Sequence, residues 1–179
     1  MDLIGLVGRA GAGKTFLAKH LEAKYGYKRL SFANPLKQML LNAGMCSAEE
    51  LWGEKTEQSR WLLQKIGTDI FRKQVDPKFW VRWTAKLIDK EIKAGHSVVL
   101  DDIRFPEEAA LVRAYRKNGI LVRLERGNYT DATAGTTHES ECQVGDIECN
   151  HIILALSGEV DKIIWQMDEI LKGVMPIES

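Results

Sequence analysis

The sequence predicts an α/β domain built on a parallel sheet of about five strands, with helices on both faces. Short apolar runs of strand length recur along the chain, as at Leu3–Val7 (LIGLV) and within Ser97–Leu100 (SVVL), and such continuous runs mark strands buried on both sides. Longer amphipathic stretches with helical spacing alternate with them. Strand, helix, strand in that rhythm is what crossover connections between parallel strands require.

Taken in order, Leu3–Val7 is the first strand and runs into glycines, and Phe16–Tyr25 follows as a helix with Leu17, Ala18 and Leu21 on one side. Tyr27–Phe32 reads as the second strand. Pro35 opens a helix through about Asn42, stopped at Gly44, because a first-turn proline gives up no helical hydrogen bond. Ser47 and Glu50 have the spacing of a capping box for a short helix. Thr56–Lys73 and Pro77–Ala94 are two long amphipathic helices, separated by Asp76-Pro77 and closed by Gly95. Ser97–Leu100 is the third strand, leading into Asp101-Asp102, and Pro106 starts a helix that Asn118-Gly119 ends. Ile120–Leu124 and His151–Leu156 are the last strands, with a polar loop or lid at 126–150 between them and a closing helix at Glu159–Lys172. An insertion of that length in a compact domain is usually a functional lid or disordered.

The 179 residues suffice for one domain with its own core. Twenty-five Lys and Arg balance twenty-five Asp and Glu, which removes the field that would draw the whole molecule onto nucleic acid or an anionic membrane. No run approaches the roughly 20 apolar residues of a membrane helix. Met1-Asp2 leads into a strand with no secretory leader, and Cys46, Cys142 and Cys149 make no disulfide framework. A cytoplasmic protein without nucleic-acid or membrane partners is expected; a homodimer is left open. The neutrality is a sum of unlike parts: residues 55–93 carry ten basic and five acidic side chains, residues 127–179 two and ten.

Gly8-Arg9-Ala10-Gly11-Ala12-Gly13-Lys14-Thr15 satisfies G-x-x-x-x-G-K-[ST] between the first strand and the first helix, the context the motif's mechanism requires. Backbone amides along Gly8, Ala10, Gly11, Ala12 and Gly13 are expected to converge on phosphate oxygens, aided by the helix dipole. Lys14 would reach the β- and γ-phosphates and the Thr15 hydroxyl would ligate Mg²⁺. The fold class is then a three-layer sandwich of the P-loop NTPase type. The loop names a nucleoside triphosphate as ligand and leaves the fate of its γ-phosphate open.

Arg60, Gln64, Thr68 and Arg72 fall at steps of four and form one polar stripe, which is either the solvated face of a surface helix or a site pairing an arginine suited to phosphate with a glutamine suited to a base edge. Gly67 beside them costs a helix about 1 kcal/mol, which suggests close approach of a ligand. Trp80 and Trp83 offer aromatic surface for a nucleobase or for the core. Asp101 and Asp102 end a buried strand at the usual ligand edge of an open sheet, where Asp101 could hold Mg²⁺ through water. Arg104 could clamp an acceptor phosphate, oriented by Asp102 or Glu108. In the long loop, His138 and Glu141 belong to the densest polar cluster, with Arg123 and Arg126 ahead of it. The order His138, Cys142, Cys149, His151 is not a familiar zinc pattern.

These residues together resemble the deoxynucleoside monophosphate kinases of tailed bacteriophages, a branch of the P-loop nucleoside monophosphate kinases. The resemblance rests on the P-loop, Ser31-Phe32-Ala33-Asn34-Pro35-Leu36-Lys37, Arg60-x3-Gln64-x2-Gly67-Thr68, Trp80, Asp102-x-Arg104-x3-Glu108 and His138-x-Ser140-Glu141. It implies transfer of the ATP γ-phosphoryl group to a deoxynucleoside monophosphate in the presence of Mg²⁺, in host cytoplasm if the chain is phage-encoded. It implies a helical acceptor-binding part at about 34–94 and a lid at about 126–150. By the same likeness Lys37, Arg60, Gln64, Gly67, Thr68, Trp80 and Asp102 contact the acceptor, and Lys14, Asp102, Arg104 and Glu108 serve the reacting phosphates. Another small P-loop kinase, acting on dephospho-coenzyme A, a sugar acid or shikimate, is the alternative, and a nucleotide-switched assembly ATPase is a more distant one.

Overall fold

The computed structural model describes residues 2–115, 119–126, 143–156 and 158–174. It divides into two compact units, one drawn from Met1–Arg29 and Glu91–Ser179, the other from Leu30–Lys90.

The first unit holds a five-stranded sheet of β1 (Leu3–Val7), β2 (Lys28–Leu30), β3 (Val98–Ile103), β4 (Gly119–Arg126) and β5 (His151–Ala155), in the order β2-β3-β1-β4-β5. β1 pairs in parallel with β3 and β4, and β4 with β5. Every residue of β1 is buried, as its continuous apolar run requires. α1 (Lys14–Tyr25) and α7 (Val160–Val174) cover one face, where Leu17, Leu21, Met167 and Leu171 join Ile4, Leu6, Val122 and Ile153 in one core. α6 (Pro106–Ala114) covers the other. A Cβ at Gly5 would run into Ile103 Cδ1 and Leu121 Cδ2 and come within 3.1 Å of Val112 Cγ2, so the central strand needs a glycine for α6 to close on it. Asp168 of α7 accepts hydrogen bonds from Lys24 Nζ at 2.6 Å and Tyr25 Oη at 2.8 Å, fastening α7 to the end of α1. No helix among the described residues is long and apolar enough to cross a membrane.

The second unit is helical: α2 (Asn34–Asn42), α3 (Ala48–Trp52), α4 (Glu57–Gln64), a π-helix (Lys65–Val75) and most of α5 (Phe79–Lys93). The Ser47/Glu50 capping box is present, with Glu50 N–H donating to Ser47 Oγ and Ser47 N–H to Glu50 Oε2. Phe32, Leu36, Leu40, Leu51, Leu62, Trp80 and Ile88 are among its buried apolar residues. Phe71 packs on Phe79 and Trp80 with ring centroids 4.6 and 5.1 Å apart.

Several boundaries depart from the sequence expectation. The second strand contracts to Lys28–Leu30, while β3 extends past Leu100 to Ile103, so Asp101 and Asp102 are strand residues and not a turn. Gly5 faces Leu100 but Val7 faces Ile103, so β3 carries one more residue than β1 over this interval, a β-bulge at the two aspartates. The expected helix Thr56–Lys73 is α-helical only to Gln64 and continues as a π-helix, whose last bond runs from Asp76 N–H to Phe71 O at 2.8 Å, five residues back. Within 126–150, Arg126 still belongs to β4, Gln143–Asp146 forms a 3₁₀ turn, and Asn150 is stitched to Leu121 by two hydrogen bonds of 2.8 and 2.9 Å. Residues 127–142 lie outside the described residues.

Candidate active site

The P-loop joins β1 to α1 in the first unit. Gly8, Gly11 and Gly13 have φ of 154°, 76° and 101°, values that side chains with a Cβ rarely adopt. At Gly8 a Cβ would also stand 2.7 Å from the Leu124 carbonyl oxygen. Ala12 is buried beneath the loop, while Arg9, Ala10 and Gly11 are exposed. α1 opens on Gly13 without a side-chain cap, so its first amides call for water or an anion. Lys14 is only 7% exposed. Its Nζ donates to the carbonyl oxygens of Gly8 at 2.5 Å and Arg9 at 2.8 Å, which holds the ammonium along the loop. Thr15, the next residue, is exposed.

β3 runs beside β1 in parallel, so its carboxyl end lies on the same sheet edge as the P-loop. The register shift falls at Asp101 and Asp102, and bulges of this kind are common beside active sites. Arg29 Nε on β2 lies 3.8 Å from Asp101 Oδ2, and Arg29 Nη1 is buried without a hydrogen-bond partner. Arg104 follows the strand, and its amide donates to Glu108 Oε2 at 2.9 Å. The Phe105 amide donates to the same oxygen at 3.2 Å. Glu108 is 2% exposed. It is the reach-back residue at the start of α6, and its Oε2 satisfies two backbone donors in the turn that carries Arg104. Together Thr15, Asp101 and Asp102 supply hydroxyl and carboxylate oxygen, the donors that Mg²⁺ takes alongside substrate phosphates.

In the helical unit, Arg60 and Gln64 are exposed on α4 and Thr68 and Arg72 are half-buried on the π-helix. The stripe expected from steps of four changes course at Lys65. Four residues overshoot a turn of α-helix, at 3.6 residues per turn, but undershoot a turn whose bonds span five. Arg60 Nε donates to Lys55 O at 3.3 Å, and Lys37 Nζ stands 5.7 Å from the Trp52 ring centroid. Gly67 is buried, and a Cβ there would come within 2.7 Å of Leu36 Cδ2 on α2. Helix packing is thus one reason for a glycine at this position. Trp80 is 4% exposed and its Nε1 donates to Gly67 O at 2.9 Å, which makes it an interior brace and not an open stacking platform. Trp83, at 40%, is exposed.

Of the lid candidates, Arg123 is an anchor. Its Nη2 donates to Gly145 O at 3.2 Å and also to Ile147 O, tying the 3₁₀ turn and the residues after it to β4. Arg126 ends β4; His138, Glu141 and Cys142 lie outside the described residues. Among the described residues, no group of three or more His, Cys, Asp or Glu is arranged to hold a metal by itself. Two features carry no motif in the sequence: Arg29 beside Asp101, on a strand too short to show alternation, and a row of carboxamides along α2.

Residues 47–154, more than half of the chain, match the family of deoxynucleotide monophosphate kinases. The chain belongs to that family. This makes it a nucleotide kinase, a phosphotransferase. A protein of Acanthamoeba polyphaga mimivirus, provisionally named a deoxynucleotide monophosphate kinase, is 28% identical over 193 aligned positions, which cover 93% of this chain and 94% of the viral one. Among solved structures, a sugar kinase from a Janibacter species superposes with a TM-score of 0.55 at 15% identity, over 98% of this chain and 96% of that one. A protein of Thermus thermophilus superposes with a TM-score of 0.53 at 12% identity, over 98% of both chains. At such identities these likenesses establish the α/β kinase fold alone. The stretch that matches the kinase family begins at residue 47, so it includes α4, the π-helix, α5 and the bulged end of β3 but not the P-loop.

Proposed function

We propose that this deoxynucleotide monophosphate kinase moves the γ-phosphoryl group of ATP onto the 5′-phosphate of a deoxynucleoside monophosphate, giving the diphosphate and ADP. One observation carries the reading: the triphosphate loop and the family match occupy separate stretches of the chain. Two independent signals, one for the donor and one for the acceptor, thus agree. The acceptor signal favours this reaction over a sugar-acid, shikimate or dephospho-coenzyme A kinase and over an assembly ATPase.

In this reading the P-loop amides hold the β- and γ-phosphates, and Lys14 leaves its carbonyl partners to follow the migrating charge. Mg²⁺, held by Thr15 and, through water, by Asp101, would supply Lewis-acid neutralisation of the triphosphate. Asp102 and Arg104 serve the acceptor phosphate, with Arg104 set in place by Glu108. The helical part at about 34–94 binds the monophosphate, with Arg60, Lys37 and Thr68 on its polar groups and Gln64 on its base. Gly67 and Trp80 act by holding that helix pair together. The lid expected at about 126–150 lies mostly outside the described residues.

The chemistry asks for little else. The acceptor phosphate is already anionic, so no strong general base is needed. What is needed is positive charge between two repelling phosphates, in-line placement and exclusion of competing water. The basic excess of residues 55–93 suits such a substrate. An origin in a virus or phage is part of this reading, in keeping with the viral relative, and with that origin the enzyme would act in the host cytoplasm.

The direct test follows label from γ-labelled ATP in the presence of Mg²⁺ and a mixture of deoxynucleoside monophosphates. Label in deoxynucleoside diphosphate is expected. Label in inorganic phosphate alone would favour the ATPase reading.

A further inference from the structure

Asn34, Gln38 and Asn42 fall at steps of four on α2 and so share a face of that helix. The face lines a cavity of about 410 Å³ together with Trp52 and Trp83, lying wholly within the helical unit. That volume is in the range of small-molecule sites, roughly 300–1,000 Å³. Among the described residues no Asp, Glu, Lys or Arg lines it, so these offer nothing to neutralise a phosphate and suit an uncharged part of a ligand. Its lining is mostly apolar, with Leu30, Pro35, Met39 and Leu87 beside the two indoles, and the α2 carboxamides and Ser31 supply its polar groups. Indoles stack on flat π-systems, and a carboxamide presents a donor and an acceptor side by side, as the edge of a nucleobase requires.

The amides are also oriented. Trp52 Nε1 donates to Asn34 Oδ1 at 3.3 Å, and Gln38 Nε2 donates to Asn42 Oδ1 at 2.9 Å. Both asparagines therefore have Nδ2 left to donate, and Gln38 has Oε1 left to accept. Lys37, the neighbour of Gln38, holds its ammonium beside the Trp52 wall, where a cation serves the phosphate end of a ligand whose neutral end is in the cavity.

We propose that this cavity is the nucleobase site of the acceptor, with the base stacked on the Trp52 and Trp83 indoles and its edge read by Gln38 and Asn42. The inference rests on the acceptor being a deoxynucleoside monophosphate, and it moves base selection from Gln64, which does not line the cavity, to α2.

The test is a tryptophan-fluorescence titration of the whole protein, without ATP, using each of the four deoxynucleoside monophosphates and 2-deoxyribose 5-phosphate, which lacks a base. The nucleotides should quench and the sugar phosphate should not. Gln38→Leu should raise Kd for the preferred nucleotide about tenfold and reorder the four, and Trp83→Ala should weaken all four and remove much of the quench. Both positions are exposed, and an unchanged melting temperature and ATP affinity would show each variant folded. Kd values and ranking that stay as in the wild type in both variants would overturn the assignment. If the wild-type protein binds nucleotides in this way but phosphorylates none, the cavity assignment stands and the kinase reading falls. If both variants phosphorylate the four nucleotides with wild-type constants, the kinase reading stands and the cavity assignment falls.

Discussion

The indole N–H of Trp80 on α5 donates to the backbone carbonyl of Gly67 in the π-helix at 2.9 Å, in the buried centre of the helical unit. The glycine also lets Leu36 of α2 lie against the π-helix backbone. One short stretch of chain is thus held from two sides, by a hydrogen bond and by a packed side chain. Trp80→Phe keeps an aromatic ring and loses the bond to the Gly67 carbonyl. A stability loss of about 1 kcal/mol is expected in urea denaturation.

Gly67→Ala sets two effects against each other. Alanine favours a helix by about 1 kcal/mol over glycine, but its methyl must displace the buried Leu36, and overpacking of this kind costs about 1–3 kcal/mol. The substitution should destabilise the wild-type protein and stabilise a Leu36→Ala background. A double-mutant cycle reads this reversal of sign. The same sign in both backgrounds would remove Leu36 as the reason for the glycine.

Glu108 separates a structural from a chemical role. Because its Oε2 accepts from the Arg104 and Phe105 amides, Glu108→Gln retains an acceptor and should keep kcat/KM within a few-fold. Glu108→Ala leaves the turn without its brace. It should lose about 1–3 kcal/mol of stability, and kcat/KM should fall as Arg104 drifts. A collapse of activity in Glu108→Gln with stability intact would return Glu108 to the chemistry.

These cases show what a one-dimensional reading can and cannot reach. The P-loop, the buried strands and the Ser47/Glu50 cap were legible because each depends on neighbours in sequence. The bulge at Asp101–Asp102 was not, since it is a register relation between β3 and β1. Gly67 stands out in the sequence by its helix cost, while the leucine its Cβ would meet lies thirty-one positions earlier. Arg123 has the composition of a lid arginine and is instead bound to carbonyls of the 143–147 segment. Arg29 and the α2 carboxamides left no motif because their meaning comes from what faces them.

Asp168 makes stability depend on acid. Burial alone would raise its pKa, but hydrogen bonds from Lys24, Tyr25 and His20 outweigh that and hold it below the ordinary aspartate value. A depressed folded-state pKa gives a contribution that is complete above the unfolded value, about 3.9. It is lost as pH falls from there through the lower folded value. Asp168→Asn should therefore be less stable than wild type at pH 7, with a gap that narrows below about pH 4. A constant gap across that range would show that the carboxylate charge contributes nothing.

Arg104 stands on the turn that Glu108 braces. Arg104→Ala should lower kcat/KM by about 10²-fold or more, the scale on which loss of one preorganised charge donor is felt, with the melting temperature little changed. Near-normal turnover would take Arg104 out of the reaction.

The central claim is the identity of the acceptor. The most direct measurement is ADP formation from ATP and Mg²⁺ with a panel of the four deoxynucleoside monophosphates, their ribose counterparts, dephospho-coenzyme A, shikimate and a sugar acid. Turnover with one or more deoxynucleoside monophosphates, well above the rate without acceptor, is the predicted result. Turnover confined to a non-nucleotide acceptor, or a rate indifferent to any acceptor, would contradict it.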